Sequence, residues 1–263
     1  MMRQLSRYEI RQIQMNVLQE FHDFCIKNDI KYSLCAGTLL GAIRHKGYIP
    51  WDDDIDVMVP RRDYQRLLKL YNSDNYTLYH YSKQKSFMLS YAKLCDNSTL
   101  LEEGCVFESD YGVDIDIFPL DFFPDTIEES EQWVNRLKRL KYIRNRKNVK
   151  VSKNRSLFKN VQVILFRILT SPIPMRWLVK KVDTIAQLYS YKTEGFVGNM
   201  TNGYGMKERN PMSKQLIDIE FEGRSFKAIA NYDVYLKGLF NDYMTLPPLD
   251  KRVSTHTAVA WWR

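Results

Sequence analysis

Asp52, Asp53, Asp54 and Asp56 crowd four carboxylates into the stretch IPWDDDIDVMVP. Like charges about 4 Å apart repel by roughly 4 kcal/mol per pair at an effective dielectric of 20, so the run calls for a cation among its side chains. In a strand over 55–59, alternation sends Asp54 and Asp56 to one face and buries Ile55 and Val57 on the other. The pattern returns at Asp114-Ile115-Asp116-Ile117. Two neighbouring strands of this kind would surround a hard divalent cation with oxygen, as magnesium chemistry on phosphates requires. A rival ligand loop, an EF-hand begun at Asp52, fails because its sixth place holds Val57 instead of glycine and its twelfth holds Asp63 instead of glutamate.

A second feature lies just upstream, in GTLLGAIRHKG. Gly37 and Thr38 stand where a short strand over 32–36 gives way to a helix, and the backbone N–H groups of a helix start suit a phosphate. Arg44, His45 and Lys46 follow; they could neutralise phosphate oxygens or complement the helix dipole at its far end. Lys93, in YAKLCD, is a further candidate phosphate clamp.

These residues need elements to position them. Ser6 and Glu9 form a capping-box pattern, and apolar residues at 10, 13, 17, 21 and 24 predict an amphipathic helix ending near 27. Strands are expected at 55–59, 77–81, 89–94 and 113–118, the last ended by Pro119, with a helix after Pro60. From about 126 the spacing predicts helices over 127–148, 157–170 and 174–191. An NGYG loop, a hairpin turned by Glu222-Gly223, a helix over 231–243 and an irregular tail complete the chain. The class is α+β: a core over 1–125 with strands and helices interleaved, then a mainly helical region over 126–263 that carries the hairpin.

At 263 residues, 44% apolar and 27% charged, the chain can bury a real core and is neither disordered nor fibrous. The net charge of +8 is uneven, because residues 136–159 hold eleven Lys/Arg and no Asp/Glu. Such a run is either a solvated helix face or a surface for anions. Four cysteines without a CxxC and four histidines without metal-type spacing argue against a zinc site and point to reduced thiols. The N-terminal residues lack the apolar core of a secretory signal and no apolar run approaches the ~20 residues of a membrane span, so a cytoplasmic protein, soluble or peripheral on the membrane, is expected. No nucleic-acid-binding signature is present, and the charge is concentrated without interleaved stacking aromatics, which argues against a nucleic-acid partner.

The order Gly-Thr, DxD, then a third Asp resembles the nucleotidyltransferase superfamily typified by polymerase beta. More specifically, GTLLGAIRHKGYIPWDDDIDV, followed by DIFPLD and DYMTLPP, closely resembles the LicD family of phosphocholine transferases over about 33–250, with little contribution from 127–192. The resemblance implies a nucleotidyltransferase-like mixed sheet flanked by helices. It puts Gly37 and Thr38 on the donor phosphates, Asp54 and Asp56 on a metal, and Asp116 as the third metal-binding and catalytic carboxylate. Asp53 is given a supporting role with its side chain pointing away; Asp114 and Asp121 flank the motif without an expected metal contact.

Such enzymes move phosphocholine from CDP-choline to a sugar hydroxyl of a cell-surface glycan precursor, of teichoic acid or lipopolysaccharide type, and release CMP. Relatives transfer other phospho-alcohols, and true nucleotidyl transfer by the same carboxylates stays open. The implied cofactor is Mg²⁺, or Mn²⁺ in its place. A lipid-linked acceptor would let the basic 136–159 region make a peripheral membrane contact. Choline calls for an aromatic cage, for which Trp51 is the first candidate and Tyr48, Tyr91, Trp261 and Trp262 are available.

Overall fold

The structure is a computed structural model that describes residues 2–201, 204–209, 215–254 and 258–263. Helix α1 (Arg7–Lys27) starts on the expected capping box, with Ser6 Oγ accepting from Glu9 N–H and the Glu9 carboxylate accepting from Ser6 N–H. It buries Ile13, Val17, Phe21 and Cys25 against the sheet. There follow β1 (Ser33–Leu34), α2 (Ala36–His45), β2 (Asp56–Pro60), α3 (Arg61–Leu70), β3 (Tyr76–Tyr79), β4 (Ala92–Asp96), β5 (Thr99–Glu102) and β6 (Asp114–Phe122). Three helices come next, α4 (Ile127–Asn148), α5 (Leu157–Leu169) and α6 (Met175–Ala186). The chain continues through β7 (Phe196–Asn199), β8 (Tyr204–Arg209), β9 (Leu216–Phe221), β10 (Arg224–Ile229), α7 (Tyr232–Phe240) and β11 (Val259–Trp262).

The main sheet runs β1-β2-β6-β4-β3, with β7 beside the far end of β6 and β8 on β7. It is mixed: β2 and β6 are parallel, and the other neighbours are antiparallel. This is the expected class, an N-terminal mixed sheet flanked by helices and a mostly helical second half.

Pro119 does not end its strand but lies inside β6, opposite Val59. Asp116 N–H points to β2, donating to the Ile55 carbonyl at 2.8 Å, so alternation aims position 119 at the other neighbour. There β4 has stopped level with Ile117 and β7 begins at Asp121, so the missing N–H falls in the gap between them. The tail is not irregular throughout, since β11 pairs with β5, a strand the sequence reading did not include. Helix α6 gives way to a 3₁₀ turn at Gln187–Tyr189, and α7 stops at Phe240. Of the NGYG segment, 202 and 203 lie outside the described residues and 204 begins β8.

The β9–β10 hairpin turns at Glu222 and Gly223, both with positive φ, as a type I′ turn requires. The Glu222 carboxylate accepts from Tyr48 N–H at 2.9 Å, and a Cβ on Gly47 would come within 2.0 Å of it. Glycine at 47 leaves room for the Glu222 carboxylate in this position, and the Glu222 N–H donates to the Lys46 carbonyl at 2.9 Å to hold the hairpin on the loop after α2. The main core draws on this hairpin, α7 and β11 as well as the N-terminal elements, while α4 and α6 close a second, smaller core around Trp133, Leu137 and Val182. Apolar residues after 125 thus divide between two cores. A buried clamp joins the layers: Arg61 grips Asp121 through Nε and Nη2 at 2.6 and 2.7 Å and reaches Asp183 of α6 through Nη1 at 2.8 Å.

Candidate active site

The parallel register of β2 and β6 sets Asp56 directly opposite Asp116. On the other side of β6, Lys93 of β4 is the antiparallel partner of Asp116. Asp54, Asp114, Asp116, Lys93, Glu103 and Tyr91 line one cleft of about 430 Å³. Acidic side chains from separate elements therefore meet, as the period-two pattern predicts for neighbouring strands.

The cation among them is Lys93. Its buried ammonium lies 2.7 Å from Asp116 Oδ1, 2.9 Å from Asp114 Oδ1 and 3.8 Å from Glu103 Oε1. The side chain expected to clamp phosphate is thus an internal counter-ion of the carboxylates. Burial pushes the Asp114 carboxyl up to about 7 against the pull of Lys93, and Asp116 is raised by burial and held back by the same ammonium. Asp56 stands well above the ordinary carboxylate range, first from burial and then from repulsion by Asp54, Asp116 and Asp52. One lysine does not neutralise this much acid. Asp114 Oδ2 is buried without a hydrogen-bond partner, and Asp52, Asp53 and Asp54 can bring one oxygen each within 4.8 Å of one another. Hard oxygen donors of this kind fit a divalent metal.

The geometry differs from the sequence reading at Asp53. Residues 52–55 precede β2 and are not in a strand, so alternation does not govern them. Asp53 lines the cleft beside Asp54 and accepts from Ser254 Oγ at 2.7 Å instead of pointing away. Asp114 faces the same cleft, whereas Asp121 lies in the Arg61 clamp at the other end of β6.

Gly37 and Thr38 sit in the first turn of α2. A Cβ on Gly37 would lie 2.5 Å from Asp52 Oδ2, so glycine lets the acidic loop rest against the helix start. Thr38 is buried, and its hydroxyl accepts from Asp56 N–H at 2.8 Å, fastening the helix to the acidic strand. Ala36 takes φ +45 and donates its N–H to the Tyr235 hydroxyl at 3.0 Å, which braces this turn from α7.

Arg44, His45 and Lys46 lie at the opposite end of α2, about 10 Å along its axis from Gly37. Arg44 donates to the Tyr243 carbonyl at 2.7 Å, His45 stands edge-on to Trp51 at 6.3 Å, and exposed Lys46 closes the helix in a left-handed conformation. The structure does not bring these three onto the carboxylates. Trp51 carries the Arg252 guanidinium over its ring at 5.6 Å, and Tyr48 carries Arg11 at 4.5 Å. Trp261 and Trp262 belong to β11, with Arg3 over Trp262 at 5.8 Å. Of the aromatic candidates, Tyr91 lines the acidic cleft.

The sequence reading missed the residues of α1 that hold the acidic loop. Arg7 and Arg11 donate to the Asp52 carbonyl at 2.9 and 2.8 Å, and Gln14 donates to the Asp53 carbonyl at 2.9 Å. Their spacing of four and three places them on one helical stripe, a signal that was present but not interpretable without its partner. Glu103, the other omission, follows directly on the unrecognised β5, which ends at Glu102, and had no such signal.

A glycine-led helix packed on a mixed sheet, with carboxylates converging from parallel neighbours, marks a fold of the nucleotidyltransferase class. Residues 29–176 match the LicD/FKTN/FKRP nucleotidyltransferase domain. At 30% identity, 99% of the chain aligns with 99% of the lipopolysaccharide cholinephosphotransferase LicD of Haemophilus influenzae. Shorter likenesses, 36% over 84 residues and 40% over 65 residues, relate it to uncharacterized proteins of Rickettsia typhi and Rickettsia prowazekii; they cover 29% and 24% of this chain and 27% and 24% of those proteins. The chain belongs to the LicD family and is an enzyme of its phosphotransferase type.

Proposed function

We propose that the protein transfers phosphocholine from CDP-choline to a sugar hydroxyl of a cell-surface glycan precursor, of teichoic acid or lipopolysaccharide type, and releases CMP. The observation that carries this reading is the Asp56–Asp116 register with Asp54 on the same cleft, joined to the full-length likeness to a lipopolysaccharide cholinephosphotransferase. Asp54, Asp56 and Asp116 would hold Mg²⁺, or Mn²⁺. The metal, when bound, would neutralise charge on the donor pyrophosphate, where positioning and electrostatics supply most of the rate. The acceptor oxygen forms a bond to the phosphorus beside choline, the bond from that phosphorus to the CMP oxygen breaks, and the acceptor proton passes to the Asp116 carboxylate. Burial raises the basicity of Asp116, and Lys93 at 2.7 Å holds its position. Gly37 and Thr38 would offer the start of α2 to the donor phosphates.

A second reading, transfer of ribitol or glycerol phosphate from the corresponding CDP donor, has one observation in its favour. The ring of Trp51, the first candidate for a choline cage, is already covered by Arg252. Offering CDP-choline, CDP-ribitol and CDP-glycerol with a panel of glycan acceptors separates the two. Turnover of CDP-choline with CMP as product supports the first, and its rejection in favour of another CDP-alcohol supports the second. Release of free phosphocholine would overturn both in favour of nucleotidyl transfer. If choline is the cargo and Trp51 binds it, Trp51→Ala raises KM for CDP-choline; an unchanged KM removes Trp51 from that role.

A further inference from the structure

Helix α5 is inside out. Leu157, Phe158, Leu165, Ile168 and Leu169 are each more than half exposed, and Val161 and Ile164 are exposed between them. At 100° per residue these positions fall within an arc of about 140°, so one whole face of the helix is apolar and open. Its packed side is the less apolar one. Val163 is buried, Phe166 meets Tyr142 edge-on at 5.9 Å, and Asn160 donates to the Ser152 carbonyl at 2.8 Å. A continuous apolar stripe of this size on a described surface marks an interaction site.

The surroundings select the partner. Residues 136–159 contain no carboxylate, and Lys150, Lys153 and Lys159 are exposed around the start of α5. Lys141 and Lys147 do not count toward this charge: they turn inward, Lys141 to the Met200 carbonyl and Lys147 to those of Thr170 and Ile173. An exposed apolar face with a basic border complements a bilayer with anionic headgroups. At 13 residues, the helix is roughly 20 Å long and too short to cross a hydrocarbon core of ~30 Å. Among the described residues no helix is long and apolar enough to cross a membrane.

We propose that α5 lies in the plane of an anionic lipid surface, with its apolar stripe in the acyl boundary and its lysine border on the headgroups. A groove at the start of α5 and the acidic cleft share one wall, Cys105. The groove, of about 530 Å³, is also lined by Asn145, Asn148, Lys150 and Arg155. A lipid-borne acceptor could pass its phosphate along this groove while its sugar reaches Asp116. That last step rests on the phosphotransfer reading; the membrane contact does not.

The test uses the full chain without nucleotide, in co-sedimentation with phosphatidylcholine vesicles with and without phosphatidylglycerol. The wild type is expected to pellet with the anionic vesicles, to be released by 0.5 M salt as headgroup attraction is screened (about 4 Å Debye length), and to stay in solution with phosphatidylcholine alone. Leu165→Glu/Ile168→Glu, at exposed positions, is expected to lose at least tenfold in partitioning with an unchanged melting temperature. Lys153→Glu/Lys159→Glu is expected to lose binding to the anionic vesicles in the same way. A wild type that stays in the supernatant, or a Leu165→Glu/Ile168→Glu variant that pellets equally, overturns the proposal. So does a wild-type dimer in gel filtration that this variant dissociates, because a second copy would then cover the face. Failure of CDP-alcohol turnover would leave the vesicle result standing, and the reverse holds as well.

Discussion

Lys93→Met offers the sharpest view of the site's electrostatics. The ammonium lies within 3 Å of oxygens on both Asp114 and Asp116, and the three side chains are 7%, 8% and 15% exposed, so solvent screens them little. Removing one partner of a buried ion pair costs about 3–5 kcal/mol, because the remaining charge stays buried and unpaired. Methionine keeps most of the volume, so a cavity adds little. The penalty should depend on pH, and its sign follows from the carboxyls. Asp114 already titrates near 7 with Lys93 present, and without the lysine both acids shift further upward. A folded pKa raised above its unfolded value gives stability that is complete below the unfolded value, near 3.9, and is lost as pH rises through the folded one. The variant should therefore lose about 3–5 kcal/mol at pH 8 and clearly less at pH 5, where the acids can be neutral. Urea unfolding followed by circular dichroism at both pH values measures this. An equal loss at pH 5 and pH 8, or none at pH 8, would refute the counter-ion assignment.

Asp56→Asn should abolish turnover of the CDP-alcohol while leaving the circular dichroism spectrum and melting temperature near wild type; retained activity with Mg²⁺ present would remove Asp56 from the metal set. Arg61→Met should cost about 3–5 kcal/mol in urea unfolding, because it strands the buried Asp121 and Asp183 carboxylates; a loss below about 1 kcal/mol, as for an exposed pair, would show the clamp to be ornamental. His80 is buried, and desolvation lowers its pKa to about 4. Stability from the neutral imidazole is present above 6.5 and is lost as pH falls toward 4, an effect of about 3 kcal/mol. His80→Asn should flatten that part of the acid limb in a pH series of melting curves, and an unchanged limb would contradict the assignment.

Much of the site was legible in the sequence because it is written in strand alternation. Asp56 and Asp116 lie on strands that the sequence predicts, with DxD spacing that suits neighbouring strands; the parallel register sets the two directly opposite each other. The helix that opens at Gly37 and the hairpin at Glu222-Gly223 carry their own local turn chemistry and were found for that reason. What was not legible depends on partners distant in the chain. The pairing of Lys93 with Asp116 comes from the antiparallel register of β4, which nothing local in YAKLCD reveals. Arg44 follows the phosphate-binding turn in sequence but stands a helix length away in space. Asp53 escaped the alternation rule because the strand begins later than expected. Pro119 read as a terminator because nothing local reveals that two different strands share one edge of β6.

The parallel pairing of β2 with β6 also bears on how the enzyme matures. Asp56 leaves the ribosome a helix and three strands ahead of Asp116, and until β6 has been made and inserted between β2 and β4 the nascent chain holds an acidic run with no opposing carboxylate and with Lys93 on a strand not yet joined to it. The cleft therefore cannot assemble before β6 is in place, because long-range parallel pairing bears its loop-closure entropy before any contact rewards it. On the proposed metal site, a divalent ion offered to the half-made chain would find scattered carboxylates in place of a coordination sphere, so its capture would report the insertion of β6.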